Sequence, residues 1–410
     1  MDVERYFDVA RRRPDLPCSH RFDPRAGRVV FPFTKGVPVS RLLSGADTRV
    51  RFLTDPTRRQ RGGRRSQSWR CLLYLRVGTN DREPIWLVLP VTMHRPLPLD
   101  AIVREVGVTW RRRATREEWS VSVVFELPQA EAPAEHVVGG PAVAVDLCWR
   151  RRSDGSLRCG YWLGEDGGRG EVVLPSSWLG AYERVKQLQS LRDKHLNALR
   201  AALIAWIDGA PSIPDWLQEA RRWMPHWRAA ARFAALALRW RELRFDGDDA
   251  GYALVEEWRK RDKHLYEWQE NLRANVLAER RDIYRKVAAQ LSRRYSRLVV
   301  EDFDLRDVAE TPGREELPKQ AREQRVMAAP SELRTALVNA FERDHGKGSV
   351  VVVPAEYTTV ACHACGAIED WDAASELAHV CQRCGAAWDQ DENACRNLLL
   401  RANPEPVATP

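Results

Sequence analysis

The sequence predicts a multidomain α+β protein: an N-terminal antiparallel β-barrel-like domain, an α/β domain with a large helical insertion, and an inserted metal ribbon. Three observations predict it. Short β-branched and aromatic runs fill residues 28–127, helical periodicity is almost unbroken over 181–296, and apolar strand-like runs recur at 142–147, 297–303 and 349–353. At 410 residues, 44% apolar and 30% charged, the chain can form at least two cores and is neither disordered nor fibrous.

In chain order, Arg28-Val29-Val30-Phe31 opens the β-rich part, followed by an Arg cluster, Arg58, Arg59, Arg61, Arg64 and Arg65, around Gly62-Gly63. That cluster reads as an exposed loop. Strand candidates are Cys71 to Val77, Ile85 to Leu89 and Trp119 to Phe125, punctuated by Gly, Asn-Asp and Pro. Residues 128–141, rich in Pro and Gly, form a linker. Ala142 to Leu147 reads as a buried strand ending at Asp146, and Leu157 to Leu163 and Glu171 to Leu174 as two more strands. The helical stretch carries Trp206, Trp216, Trp223, Trp227, Trp240, Trp258 and Trp268 at spacings expected of a core stripe, and the tetrapeptide Arg-Asp-Lys-His twice, at 192–195 and 261–264. Arg297 to Phe303 is a second buried strand ending in carboxylates. Residues 304–330 read as irregular, a helix opens at Ser331, Ser349 to Val353 is a third apolar strand, and Asp389 to Asn393 opens a last helix reaching Ala402.

Charge is unevenly distributed. The formal net charge is +8, yet residues 1–140 hold 25 basic and 16 acidic residues, so the excess lies in the first third. A basic excess of this kind meets phosphate. No run approaches the length of apolar chain that spans a bilayer, and the first residues, Met1 to Glu4, carry no signal pattern, so a soluble cytoplasmic protein without a membrane partner is expected.

Four of the nine cysteines form Cys362-His363-Ala364-Cys365 and Cys381-Gln382-Arg383-Cys384, fifteen residues apart. Each pair is followed by a glycine, Gly366 or Gly385, where a knuckle turn needs positive φ. The spacing is that of two knuckles holding one tetrahedral Zn²⁺, and four thiolates leave no open position, so the metal is expected to be structural.

Three carboxylates sit at element edges: Asp146, Glu301 and Asp391. A parallel sheet brings strand ends together at one edge. Close carboxylates repel unless hard cations neutralise them, and Mg²⁺ favours oxygen ligands. Such a pair of ions cleaves phosphodiesters.

The C-terminal stretch resembles the zinc-ribbon and RuvC-like module of TnpB (OrfB) transposon proteins and the compact type V CRISPR effectors. The resemblance is carried by Val350 to Pro354, Tyr357-Thr358-Thr359, the two cysteine pairs with their glycines, and Asp389-Gln390-Asp391-Glu392-Asn393-Ala394. Upstream, Val300-Glu301-Asp302-Phe303 and Val145-Asp146-Leu147 resemble that family's other two nuclease motifs, and His94-Arg95-Pro96-Leu97-Pro98 the close of its barrel. The resemblance implies an RNase H-like (RuvC) domain with Asp146, Glu301 and Asp391 as catalytic Mg²⁺ ligands, and a guide RNA and target double-stranded DNA as partners. It also implies nucleic-acid contacts in the basic part, for which Arg111, Arg112 and Arg113 join the loop arginines.

The implied domains are a wedge-like 1–140, RuvC-like segments 141–180 and 297–356, a helical insertion 181–296, the ribbon 357–388, and a third RuvC-like segment with the tail, 389–410. The implied activity is Mg²⁺-dependent, RNA-guided cleavage of DNA. The alternatives are RNA-guided binding with weakened or lost cleavage, acting by occlusion, and guide-independent DNA binding by a transposon protein. Two features depart from the family's pattern. Ala144 and Cys148 stand where glycines usually flank the first motif, and 154 residues separate Asp146 from Glu301 while the N-terminal part lacks a helical lobe. Either the guide is gripped differently, or a partner protein or second copy in a homodimer supplies that lobe.

Overall fold

The computed structural model describes residues 21–23, 28–54, 69–93, 97–127, 140–302, 319–369, 371 and 376–403. The chain divides between Ala134 and Glu135 into two units. The loop arginines Arg58, Arg59, Arg61, Arg64 and Arg65, and His94 to Pro96 of the barrel-closing phrase, lie outside the described residues, as does most of the 128–141 linker.

In the first unit, strands β1 (Arg21–Asp23), β2 (Arg28–Pro38), β6 (Ile102–Arg113) and β7 (Arg116–Glu126) form one antiparallel sheet in the order β1-β2-β6-β7. Strands β3 (Val50–Thr54), β4 (Trp69–Asn80) and β5 (Glu83–Met93) form a second. Alternation directs Val29, Phe31, Phe33, Val103, Val106 and Val108 of the first sheet, and Phe52, Leu73, Leu75, Leu87 and Leu89 of the second, into one shared core. A short helix α1 (Val39–Leu43) adds Val39 and Leu42. Strand β6 is the alternating strand expected after His94 to Pro98, whereas β3 was not expected, because Arg51 interrupts its short apolar run. Arg111, Arg112 and Arg113 end β6 at a hairpin and stand in register with Glu118, Glu117 and Arg116 of β7, so acidic neighbours offset part of their charge.

The second unit is built on a five-stranded sheet of order β10-β9-β8-β11-β12, from β8 (Ala142–Arg151), β9 (Leu157–Gly164), β10 (Arg169–Leu174), β11 (Arg297–Asp302) and β12 (Val350–Pro354). The first three form an antiparallel meander, and β8, β11 and β12 run parallel. Helices α2 (Ser176–Gly209), α3 (Asp215–Trp223), α4 (Ala230–Glu242) and α5 (Asp249–Arg294) lie between β10 and β11. They are followed by α6 (Lys319–Ala328), α7 (Pro330–His345) and α8 (Gln390–Ala402). The expectation of irregular chain over 304–330 lies outside the described residues up to 318, and the helix α6 corrects it from Lys319 on: its residues are mostly polar and gave no apolar period, but its end packs Ala328 into the core. No helix of the described residues is long and apolar enough to cross a membrane.

The period of two sorts the central strands onto two faces. Val143, Val145, Leu298 and Val300 pack with Trp178, Tyr284, Leu333 and Phe341 of α2, α5 and α7. Ala142, Ala144 and Val299 pack on the other face with Cys395 and Leu398 of α8. Within the helical insertion, Trp240 and Trp258 are buried and Trp206, Trp216 and Trp227 pack against the same core, which bears out the stripe; Trp223 and Trp268 are exposed. The repeated tetrapeptides meet across α2 and α5, where Arg192 donates to both Asp262 oxygens at 2.8 and 3.1 Å.

Candidate carboxylate site and cysteine cluster

The same parity places the acidic residues. Asp146 follows Ala142 and Ala144, and Glu301 follows Val299, so both fall on the sheet face that α8 covers. Parallel pairing of β8 with β11 ends at Val145 and Val300, one residue before the two carboxylates, which sets Asp146 and Glu301 beside each other. Asp391 enters from the first turn of α8. Its N-cap is Asp389, whose Oδ1 accepts from the backbone N–H of Asp391 at 2.9 Å and of Glu392 at 3.3 Å. Asp146 was expected at a strand end. Instead β8 continues to Arg151, with a register shift against β9 between Leu147 and Arg150, because pairing with β9 persists after β11 has ended. Gly160 allows that approach, since a Cβ there would stand 3.0 Å from the Asp146 carbonyl oxygen.

All three carboxyls are held above the usual carboxylate range. For Asp146 the main cause is burial, with Asp391 and Glu301 adding repulsion and Arg158 opposing it. Burial also raises Glu301, against a hydrogen bond donated by the Thr358 hydroxyl to Oε1 at 2.6 Å and the charges of Arg401 and Arg334. Burial raises Asp391, against Arg158.

Arg158 is the residue that sequence reasoning missed. It lies in the apolar run Leu157 to Leu163 and is 3% exposed. Its Nη1 and Nη2 donate to the two Asp389 oxygens at 3.0 and 3.2 Å, and the guanidinium lies 4.7 Å from the centre of the Tyr161 ring. Its Nε stands 3.1 Å from Asp391 Oδ2, an ion-pair distance without hydrogen-bond alignment, and both atoms are buried with no hydrogen-bond partner. Cys148, noted as a departure from the first motif, is half-buried; its thiol is pushed up by burial and then by Asp391 and Asp146.

The orphaned Asp391 oxygen and the hard-oxygen donor set suit a cation such as Mg²⁺ held by Asp146, Glu301 and Asp391. Their oxygens are nevertheless not drawn together as tightly as the thiols. Among the described residues, Cys362, Cys365, Cys381 and Cys384 alone have ligand atoms all within 4.8 Å of one another. Their Sγ pairs at 3.6 and 3.7 Å match the roughly 3.8 Å edge of a tetrahedron with metal–sulfur bonds of about 2.3 Å, so the donor set fits zinc. Gly366 and Gly385 have φ of 70° and 74°, as the knuckles require. Glu369 braces the second knuckle, accepting from Gln382 N at 2.9 Å, with His379 Nε2 2.7 Å from its other oxygen.

The cluster is tied to the carboxylates by Asn393. Fully buried, it donates through Nδ2 to Ala361 O at 2.8 Å and Thr359 O at 3.0 Å, and accepts at Oδ1 from His363 N at 3.1 Å. The loop that carries Thr358, and hence the hydroxyl on Glu301, is thereby clamped to α8.

Residues 332–398 match the Cas12f1-like TNB domain model. Over 405 residues the chain is 46% identical to the "CRISPR-associated DNA-binding protein Cas12m" of Allomeiothermus silvanus, spanning 98% of this chain and 74% of that protein. The chain belongs to the Cas12m family. It stands with the compact type V CRISPR effectors, as the motifs implied. A Cas12m of the same description from Thermanaerosceptrum fracticalcis is 36% identical, over 97% of this chain and 68% of that one. CasPhi-2 (Cas12j) bound to crRNA and phosphorothioate-DNA superposes at a TM-score of 0.34 with 13% identity, over 87% of this chain and 62% of that one, too loosely to carry an argument about the site. For a Cas12m-family chain the open matter is therefore what the Asp146, Glu301 and Asp391 set does with Arg158 lodged against it.

Proposed function

We propose that the protein is an RNA-guided DNA-binding effector that holds its matched duplex and acts by occlusion, with its RuvC-like carboxylate site restrained by Arg158. The single observation that carries this reading is the buried guanidinium against Asp389 and Asp391, a built-in cation where the nuclease reading expects metal. The relatives' description as DNA-binding proteins and the basic excess in residues 1–140 support it. In this reading guide pairing reads sequence, and the protein contacts backbone and a short duplex motif. The loop arginines and Arg111 to Arg113 are proposed backbone contacts, the α8-covered sheet is read as RNase H-like, the first unit as the wedge-like barrel, and zinc as the structural metal of the 357–388 ribbon. The compartment is the bacterial cytoplasm.

A second reading, Mg²⁺-dependent endonuclease, is favoured by the orphaned Asp391 Oδ2. Asp146, Glu301 and Asp391 would hold the ion, which supplies charge neutralisation and an activated water when bound. Thr358 would orient Glu301, and Arg158 would have to yield.

The test incubates purified protein and guide RNA with matched and mismatched duplex in Mg²⁺, reading retention and strand scission together. Stable retention of matched DNA without scission, unchanged in Asp146→Ala, is expected. Scission abolished by Asp146→Ala would establish the endonuclease, and no preference for matched DNA would end both readings in favour of guide-independent binding.

A further inference from the structure

Away from the carboxylates, α5 and α7 enclose an open groove of about 520 Å³. One wall presents Arg280, Arg281 and Arg285; the other presents Ser331, Thr335 and Asn339, which recur every four residues along one face of α7. Two of the three guanidiniums are engaged. Arg280 is buried, donates to Met327 O at 2.8 Å at the end of α6, and donates to Glu332 Oε2 at 2.8 Å. Arg281 donates to Glu332 Oε1 at 2.7 Å. Arg285 is exposed and has no carboxylate partner among the described residues. Three guanidiniums thus face one carboxylate, and the Arg280 and Arg281 bonds to Glu332 fix the spacing of the two walls.

We infer that this groove is a binding site for the phosphodiester backbone of a nucleic-acid strand. Planar guanidiniums favour phosphate oxygens. Arg281 and Arg285 are four residues, about 6 Å, apart along α5, so they can meet successive phosphates of one strand. The opposite wall is hydroxyl and amide, groups that hydrogen-bond phosphate and sugar without reading bases. The polar lining and the open form argue against an apolar small molecule. The inference rests on the proposed function only in that it supplies the strand, guide RNA or DNA.

The experiment uses the full chain with Arg285→Ala and, on the other wall, Asn339→Asp, both at exposed positions, with melting temperature confirming an intact fold. Binding of a synthetic guide RNA, an unrelated RNA and a single-stranded DNA is measured at rising salt. Removing one phosphate contact lowers the salt slope by about one, so the loss of affinity on a fourfold rise in salt shrinks roughly threefold. That change in the RNA arms assigns the strand as RNA, and in the DNA arm as DNA. Slopes unchanged in every arm for both folded variants overturn the site. The functional reading fails separately, if the wild type prefers the guide no more than the unrelated RNA.

Discussion

Replacing Arg158 by Met tests whether this guanidinium stands in for a cation. In metal-free buffer the change removes the bidentate pair with Asp389 at 3.0 and 3.2 Å and the charge 3.1 Å from Asp391, at a position 3% exposed. Breaking one side of a buried ion pair costs about 3–5 kcal/mol, which in a unit of this size lowers its melting temperature by on the order of 10 °C. Mg²⁺ should then restore much of the loss, because the carboxylates Asp146, Asp389 and Asp391 are left without their cation. At a hundredfold excess over Kd, linkage returns about 2.7 kcal/mol. In the wild type the same addition should shift melting less, since the ion competes with Arg158. Calorimetry of both proteins in chelator and in Mg²⁺ reads this directly. Equal Mg²⁺-induced shifts, or a variant as stable as the wild type in chelator, would refute the stand-in. Guide-programmed DNA scission is expected to rise in the variant if Arg158 is what restrains it.

Removing zinc with a chelator should release one metal per chain and expose amides over 361–369 and 378–389 to hydrogen exchange, while β11 stays protected, since the ribbon has little core beyond Cys362, Cys381 and Trp388. Asn393→Ala should cost about 3 kcal/mol in the second unit, from two donated bonds and one accepted bond at a fully buried site, and loosen amides 358–363 first by the same readout. Asp248, nearly fully buried, accepts from Arg244, from Phe245 N at 3.0 Å and from Trp240 Nε1 at 2.8 Å, and the Arg244 hydrogen bonds lead in holding its carboxyl below the usual range. A depressed carboxylate contributes stability above its unfolded value, near 4, and loses it as pH falls through the folded value. Asp248→Asn should therefore cost about 2 kcal/mol at pH 7 by thermal melting, with variant and wild type converging as pH falls below about 4.

What was legible in the sequence followed from strict local pattern. The strands bearing Asp146 and Glu301 carry short apolar runs, Ala142 to Val145 and Leu298 to Val300, and the helix opening at Asp389 has an acidic first turn; each begins where expected, although β8 runs on past Asp146 to Arg151. The cysteine pairs were legible because knuckle geometry fixes spacing and glycine together. Helix α6 was not, because its residues are mostly polar and its buried residue, Ala328, sets no period. Arg158 left no trace at all. An arginine inside an apolar run gains its meaning from Asp389, 231 residues away, and no local period records a partner at that distance.

That partner also changes what the acidic residues signify. Asp389 caps α8 and binds Arg158; Asp391 stands beside the same guanidinium; Asp146 lies between Asp391 and Glu301 and is held up by both. Neutralising Asp389 leaves the buried Arg158 guanidinium less compensated, a cost paid in folding whether or not DNA is ever cut, whereas neutralising Asp146 relieves repulsion among the carboxylates. Three carboxylates in the right order are thus weak evidence of catalysis by themselves. The discriminating evidence is what neutralises them, and here a covalently attached guanidinium already does so on one side, while Asp391 Oδ2 is buried beside it without an aligned hydrogen bond. A site poised in this way binds a cation in proportion to how readily Arg158 withdraws, so cation affinity and DNA scission should rise or fall together across substitutions at position 158.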